Sequence, residues 1–230
     1  MLRGRRSKRG RTTALLLAAL ALTPASAAGG CAPLPQIVVL EDPLSPEERV
    51  ALGVAYERRG ELEPAAREYE RALRKDDSWF RARLNLGNVR LAEKRYGDAR
   101  TEYLNALELR PADPEATNNL AWTAILSGDE RAAALERLDA VLAAREAAAS
   151  PLEDGLTPVL LDTRGVLLGR LGRRAEAQAA LDQAEAACLA AATAATSAAA
   201  PHPTAPCPEA VLEEIRAHRG ELRPVDPPQQ

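Results

Sequence analysis

Few residues in this 230-residue chain could bond, coordinate or attack. They are three cysteines, Cys31, Cys188 and Cys207, and two histidines, His202 and His218. A thiol such as Cys31, placed just after an apolar leader, can be acylated, and two thiols can crosslink a fold. The histidines and cysteines lack the paired spacing of a metal site. No nucleophile motif and no glycine-rich phosphate loop stands in the chain. The 33 Asp and Glu fall on solvated helix faces instead of converging. The chemistry on offer is anchoring and crosslinking without turnover. The chain reads as a non-enzyme, with no cofactor and no small-molecule substrate.

The segment before Cys31 explains that thiol. Arg3, Arg5, Arg6, Lys8, Arg9 and Arg11 form a basic stretch, Ala14 to Leu22 an apolar one, and small residues follow from Ala25 to Gly30. This is the order of a secretory signal over residues 1–30. The apolar run is far short of the roughly 20 residues that span a bilayer. Ala28-Gly29-Gly30-Cys31 resembles the lipobox of bacterial lipoproteins, which implies cleavage before Cys31 and acylation of its thiol. The alternative is a plain cut after Ala27 or Ala28 that leaves Cys31 near a free N-terminus. By the same resemblance, Ala32 in place of Asp implies the outer membrane, with the domain facing the periplasm. Without residues 1–30 the chain carries 24 Lys and Arg against 33 Asp and Glu, a net charge of −9. Such a domain offers no electrostatic footprint for nucleic acid, and its contact with the membrane falls to the lipid. Residues 31–45, with Pro33, Pro35 and Pro43, read as the tether. Within it Ile37-Val38-Val39-Leu40 is an apolar strip expected to pack on the first helix pair.

Positioning elements follow from a repeat. Leu52, Gly53, Ala65, Tyr69, Ala72 and Leu73 recur 34 residues later as Leu86, Gly87, Ala99, Tyr103, Ala106 and Leu107. A 34-residue period with fixed small residues marks a helix–turn–helix array. Ser45-Pro46-Glu47-Glu48 has the form of a capping box, and Asp113-Pro114 and Thr157-Pro158 repeat the cap-then-proline order. These residues resemble the tetratricopeptide repeat family over residues 46–191. The resemblance implies an all-α, right-handed superhelix of three to four helix pairs, with units 46–79, 80–113, 114–147 and 158–191. The third unit keeps Leu120, Ala121, Gly128, Ala133 and Ala140; the fourth keeps Gly165, Gly172, Ala177, Leu181 and Ala184. Arg49, Arg83 and Thr117 stand where the family usually has a large apolar residue. About ten residues are inserted around 148–157, which lengthens the second helix of the third unit. An Ala/Pro-rich linker over 192–207, a capping helix over 208–220 and a disordered tail over 221–230 complete the organisation.

Cys188 and Cys207 are read as a disulfide, because two cysteines in an oxidising compartment are more often bonded than free. It would tie the capping helix to the fourth unit and contribute on the order of 3 kcal/mol. The alternative is two buried thiols. By the family's positions, the concave groove is lined by Arg81, Asn85 and Asn88 in the second unit. Asn118, Asn119 and Trp122 continue it in the third, and Asp162, Thr163 and Val166 in the fourth. Asparagine amides can grip an extended peptide backbone, and Trp122 supplies an apolar anchor. Val50 and Val54 stand where some relatives have the Lys and Asn of a carboxylate clamp, so that clamp is absent. The partner implied is a protein or peptide of the cell envelope. The order of lipobox, linker and repeats resembles the small lipoproteins that assist type IV pilus secretins. Adaptors for cell-wall hydrolases or polysaccharide export share the same architecture, and an enzyme with a helical active site is the remaining reading.

Overall fold

The computed structural model describes residues 43–148, 155–196 and 207–222. The signal segment, Cys31, the Ile37–Leu40 strip, most of the inserted loop, most of the 192–207 linker, His202 and the tail from residue 223 lie outside them. The described residues are helical, without strands. They form α1 (Pro46–Glu57), α2 (Leu62–Lys75), α3 (Phe80–Ala92), α4 (Tyr96–Leu109), α5 (Pro114–Ser127), α6 (Arg131–Ala147), α7 (Leu156–Arg170), α8 (Arg174–Thr196) and α9 (Glu209–Glu221). None of these helices is long and apolar enough to cross a membrane.

Local chemistry sets the helix starts. The Ser45 hydroxyl accepts from the Glu48 backbone N–H at 3.1 Å while the Glu48 carboxylate accepts from the Ser45 N–H at 2.7 Å. This reciprocal pair satisfies two N–H groups that α1 cannot bond internally. Asp113 caps α5 by accepting from the Ala116 N–H at 3.0 Å. Thr157 does not cap α7. That helix starts two residues earlier, at Leu156, with Gly155 at its N-cap in the left-handed region, and the Thr157 hydroxyl instead accepts from Arg145 at 3.2 Å. At its other end α8 continues to Thr196, past residue 191, because its alanine run has no breaker.

Odd-numbered helices pack on the even-numbered ones that follow them, and each pair packs on the next. The distance within a pair is set by a glycine. A Cβ added at Gly53 would lie 2.4 Å from the Tyr69 ring, and one at Gly87 2.5 Å from the Tyr103 ring. Both rings are fully buried, so nothing yields. In the fourth unit Leu181 takes the ring's place, 2.6 Å from a Cβ at Gly165.

The third unit departs from the 34-residue register. Its turn carries a second left-handed residue, Glu130 (φ 56°), after Gly128 (φ 89°), and α6 begins one residue late. Ala134, Leu138 and Val141 therefore face inward, while Ala133 and Ala140 are exposed. The turn residue opens a cleft of about 470 Å³ between α4, α5 and α6, with Leu104, Leu120, Ala124 and Ala134 among its lining. The Arg100–Glu130 ion pair, 2.5 Å, joins α4 to this turn.

The two arginines at the family's apolar position form ion pairs within their units. Arg49 is bonded to Glu68, with side chains 9% and 8% exposed. Arg83 meets Glu102 at 3.0 Å, the same 19-residue separation one unit later. Glu68 also accepts from Arg71 at 2.7 Å, so the pair belongs to a small network and not to an isolated contact.

Helix α9 runs antiparallel to α8 and parallel to α7. Cys207 is bonded to Cys188 with a Cα–Cα separation of 5.1 Å. Ile215 is buried among Ala184, Cys188 and Ala191. Arg216 meets Glu185 at 2.7 Å, and Arg219 meets Glu185 at 2.5 Å and Asp182 at 3.2 Å.

Two predictions follow from this packing. Gly87→Ala should lower the unfolding free energy by about 1–3 kcal/mol through overpacking. Gly97→Ala, where an added Cβ meets nothing within 4 Å, should leave it unchanged or raise it by up to about 1 kcal/mol; urea unfolding reads both. Non-reducing peptide mapping should recover Cys188 and Cys207 in one linked species. Replacing both with Ser should cost about 3 kcal/mol in the same assay.

Candidate functional site

Odd-numbered helices also contact one another in sequence, α1 to α3, α3 to α5, α5 to α7 and α7 to α9. Among the described residues no even-numbered helix before α9 contacts another even-numbered one. The odd helices thus line the inside of the curve. Helix α9 takes the place that the first helix of a fifth unit would have.

Along this inner face each odd helix from α5 onward sends a polar side chain back to the one before it. Asn119 on α5 donates through Nδ2 to Asn88 Oδ1 on α3 at 2.9 Å. The same oxygen accepts from the Tyr103 hydroxyl at 2.8 Å. Thr163 Oγ1 on α7 lies 2.7 Å from Asn118 Oδ1 on α5. His218 Nδ1 on α9 lies 2.9 Å from both carboxylate oxygens of Asp162 on α7. Asn85 on α3 is within hydrogen-bond reach of the Tyr69 hydroxyl, which donates to Glu57. These bonds lock the side chains into one row.

The row has a direction. Both lone pairs of Asn88 Oδ1 are taken and one on Asn118 Oδ1 is engaged, while the Nδ2 groups of Asn88 and Asn118 remain available. The face therefore presents N–H donors to a ligand rich in carbonyl oxygens. Arg81 is exposed and pairs with Glu115 on α5 at 3.1 Å, so it bridges units and is not a free contact. Trp122 is half-buried against the core, and its ring lies 5.9 Å from that of His218.

Electrostatics differ along the face. Burial pushes the Tyr103 and Tyr69 hydroxyls well above the ordinary phenol range, with Glu57 adding to Tyr69; both stay protonated and act as fixed donors. His218 holds its proton above the ordinary imidazole range because of the Asp162 hydrogen bond. Burial opposes this, and the charges of Asp162, Glu214 and Glu221 reinforce it.

The structure brings Asn85, Asn88, Asn118, Asn119 and Trp122 to one face. Sequence reading missed His218, because the signal that finds it is spatial. Only the return of α9 onto α7, 56 residues after Asp162, creates the pair. Cys31 lies outside the described residues. No group of three or more His, Cys, Asp or Glu positioned to hold a metal ion occurs among the described residues.

Residues 80–113 match the family model for the tetratricopeptide repeat. No curated protein matches the chain. Among solved structures, PilW, described as a widely conserved type IV pilus biogenesis factor, superposes with a TM-score of 0.55 at 18% identity, over 77% of this chain and 77% of that one. A tetratricopeptide repeat protein from Parabacteroides merdae gives a TM-score of 0.52 at 20% identity, over 77% and 63%. A chain of an APC/C hetero-tetramer gives 0.53 at 18%, over 62% and 26%. The chain spans less than two thirds of the length of the last two, and at these identities the likeness concerns the fold. Glycine–tyrosine packing in 34-residue units, the family match of the second unit and these superpositions agree that the chain folds as a tetratricopeptide-repeat superhelix.

Proposed function

We propose that the chain is a non-enzymatic scaffold that holds an extended segment of a protein partner in the concave face of its repeats. Its place is the cell envelope, where an acylated Cys31 tethers it to the outer membrane on the periplasmic side. There it serves the assembly of an envelope complex such as a pilus or secretion machine. The observation that carries the binding reading is the Asn88–Asn118–Asn119 row. The Oδ1 atoms of Asn88 and Asn118 are engaged within the protein and Asn119 holds Asn88 in place, which leaves the Nδ2 groups of Asn88 and Asn118 for backbone carbonyls of a ligand. Such donors hold a peptide in register without reading its side chains, and Trp122 adds an apolar anchor. The role of PilW as a type IV pilus biogenesis factor, together with the signal and cysteine at the N-terminus, supports the pilus variant over the cell-wall and polysaccharide adaptors.

Two experiments test this. Asn85, Asn119 and Trp122 changed together to Ala should remove the partners recovered by crosslinking and pull-down with the full chain, while the helical circular dichroism persists. Unaltered recovery would argue against the groove. Palmitate labelling of the full chain in a bacterial host should mark the protein and disappear in Cys31→Ser, which should move to the soluble fraction; equal labelling of both would remove the lipid anchor.

A further inference from the structure

Helix α9 closes the inner face at its C-terminal end. Its seat has two unlike halves. The first half is fixed by the Cys188–Cys207 bond and by buried Ile215. The second half, beyond Ile215, rests on His218, on the ion pairs of Arg216 and Arg219 with α8, and on Leu222. The Leu222 side chain comes within 2.9 Å of where a Gly169 Cβ would stand. His218 is the group here whose ordinary proton affinity falls between about pH 5 and 8. Its side chain is 16% exposed and that of Asp162 7%, so water screens the pair weakly.

The charged groups around the imidazole are unequal. Asp162 faces it from α7, and Glu214 and Glu221 flank it on α9. Arg170 of α7 and Arg174 of α8 stand at the rim of the small cleft that His218 and Glu221 also line. On α8, Asp182 and Glu185 are engaged by Arg219 and Arg216. From α5 only the uncharged Trp122 ring reaches His218. The imidazolium thus donates through Nδ1 to the Asp162 carboxylate, a charge-assisted contact, with the Trp122 ring tilted at 44° and 5.9 Å away.

We propose that α9 is a proton-controlled gate on the concave face. The His218 imidazolium, clamped between Asp162 and Trp122, keeps the second half of α9 seated. Loss of its proton lets that half lift on the Cys207 tether and uncovers Asp162, Trp122 and Val166 for the ligand. This rests on the reading of the concave face as the binding groove. The sign follows from linkage: the contact is fully charged below the unperturbed histidine value of about 6.5 and weakens as pH rises through the higher value of the folded protein. The neutral ring still donates to Asp162 but without charge assistance.

The test uses the full chain with Trp79→Phe, so that Trp122 is the sole indole, and it requires no partner. Because an imidazolium quenches a neighbouring indole, Trp122 emission should rise between about pH 5.5 and 9 with a midpoint above about 6.5. Asp162→Asn should lower that midpoint, and His218→Gln should abolish the transition. Amide exchange over residues 215–222, corrected for intrinsic rates, should show about tenfold less protection at the alkaline end. In His218→Gln the protection should not change with pH. If His218→Gln fails to fold, Asp162→Asn carries the comparison. Protection of α9 that is constant with pH in the unsubstituted chain, or a fluorescence transition that survives His218→Gln, would overturn the gate. Either result leaves the groove to be judged by its own pull-down.

Discussion

The structure depends on the absence of a side chain at Gly53 and Gly87. Each lets a tyrosine ring of the following helix rest against the backbone of the first, where a single methyl group would collide. That contact fixes the spacing within a pair. It also aims the tyrosine, because a ring wedged into a glycine notch has one direction left for its hydroxyl. For Tyr103 that direction is the inner face, where the hydroxyl meets Asn88. For Tyr69 it leads to Glu57 and Asn85. The residue that packs the unit is thus the one that orients the groove, and the two roles cannot be varied separately.

Where the tyrosine is lost, the support changes. The third and fourth units place Leu138 and Leu181 in the ring's position, and leucine brings no hydroxyl. Asn118 and Asp162 are steadied from the next odd helix instead, by Thr163 and His218. Asn88 is held by Tyr103 of its own unit and by Asn119 of the next, whereas Asn118 and Asp162 are held from the next odd helix. With α9 seated, Asp162 is a carboxylate 5% exposed and bonded to His218, the partner a buried charge requires.

Much of this was legible in the sequence because it is periodic. The 34-residue recurrence of Gly53 with Gly87 and of Tyr69 with Tyr103 encodes the pairing of helices directly. Ser45 and Asp113 mark helix starts through chemistry that acts within four residues. Three features escaped. The one-residue turn insertion at Glu130 is silent in sequence, since Ala133 and Ala134 are equally plausible inward residues and only the turn's length chooses between them. Arg49 and Arg83 look like defects when read singly and become ion pairs only with Glu68 and Glu102 in view. The inner-face positions were readable from the family pattern, but the partners that take up their acceptor atoms were not. Those bonds run between helices 31 to 56 residues apart.

The two ends of the inner face therefore differ in kind. Around Asn88 and Asn119 the bonded groups are amides and a phenol, and the buried Tyr103 hydroxyl that holds Asn88 keeps its proton. Around Asp162 the geometry is held by an imidazole whose proton affinity the Asp162 hydrogen bond raises above its ordinary value. A ligand lying along the whole face would meet a constant grip at one end and an adjustable one at the other. Changes of pH would then alter how much of the ligand is engaged more than whether it is engaged at all. That follows from placing a titrating contact on α9, whose start is tied down by Cys188–Cys207. The same contact on α3 or α5, each packed between neighbours on both sides, could not move a helix without opening the array.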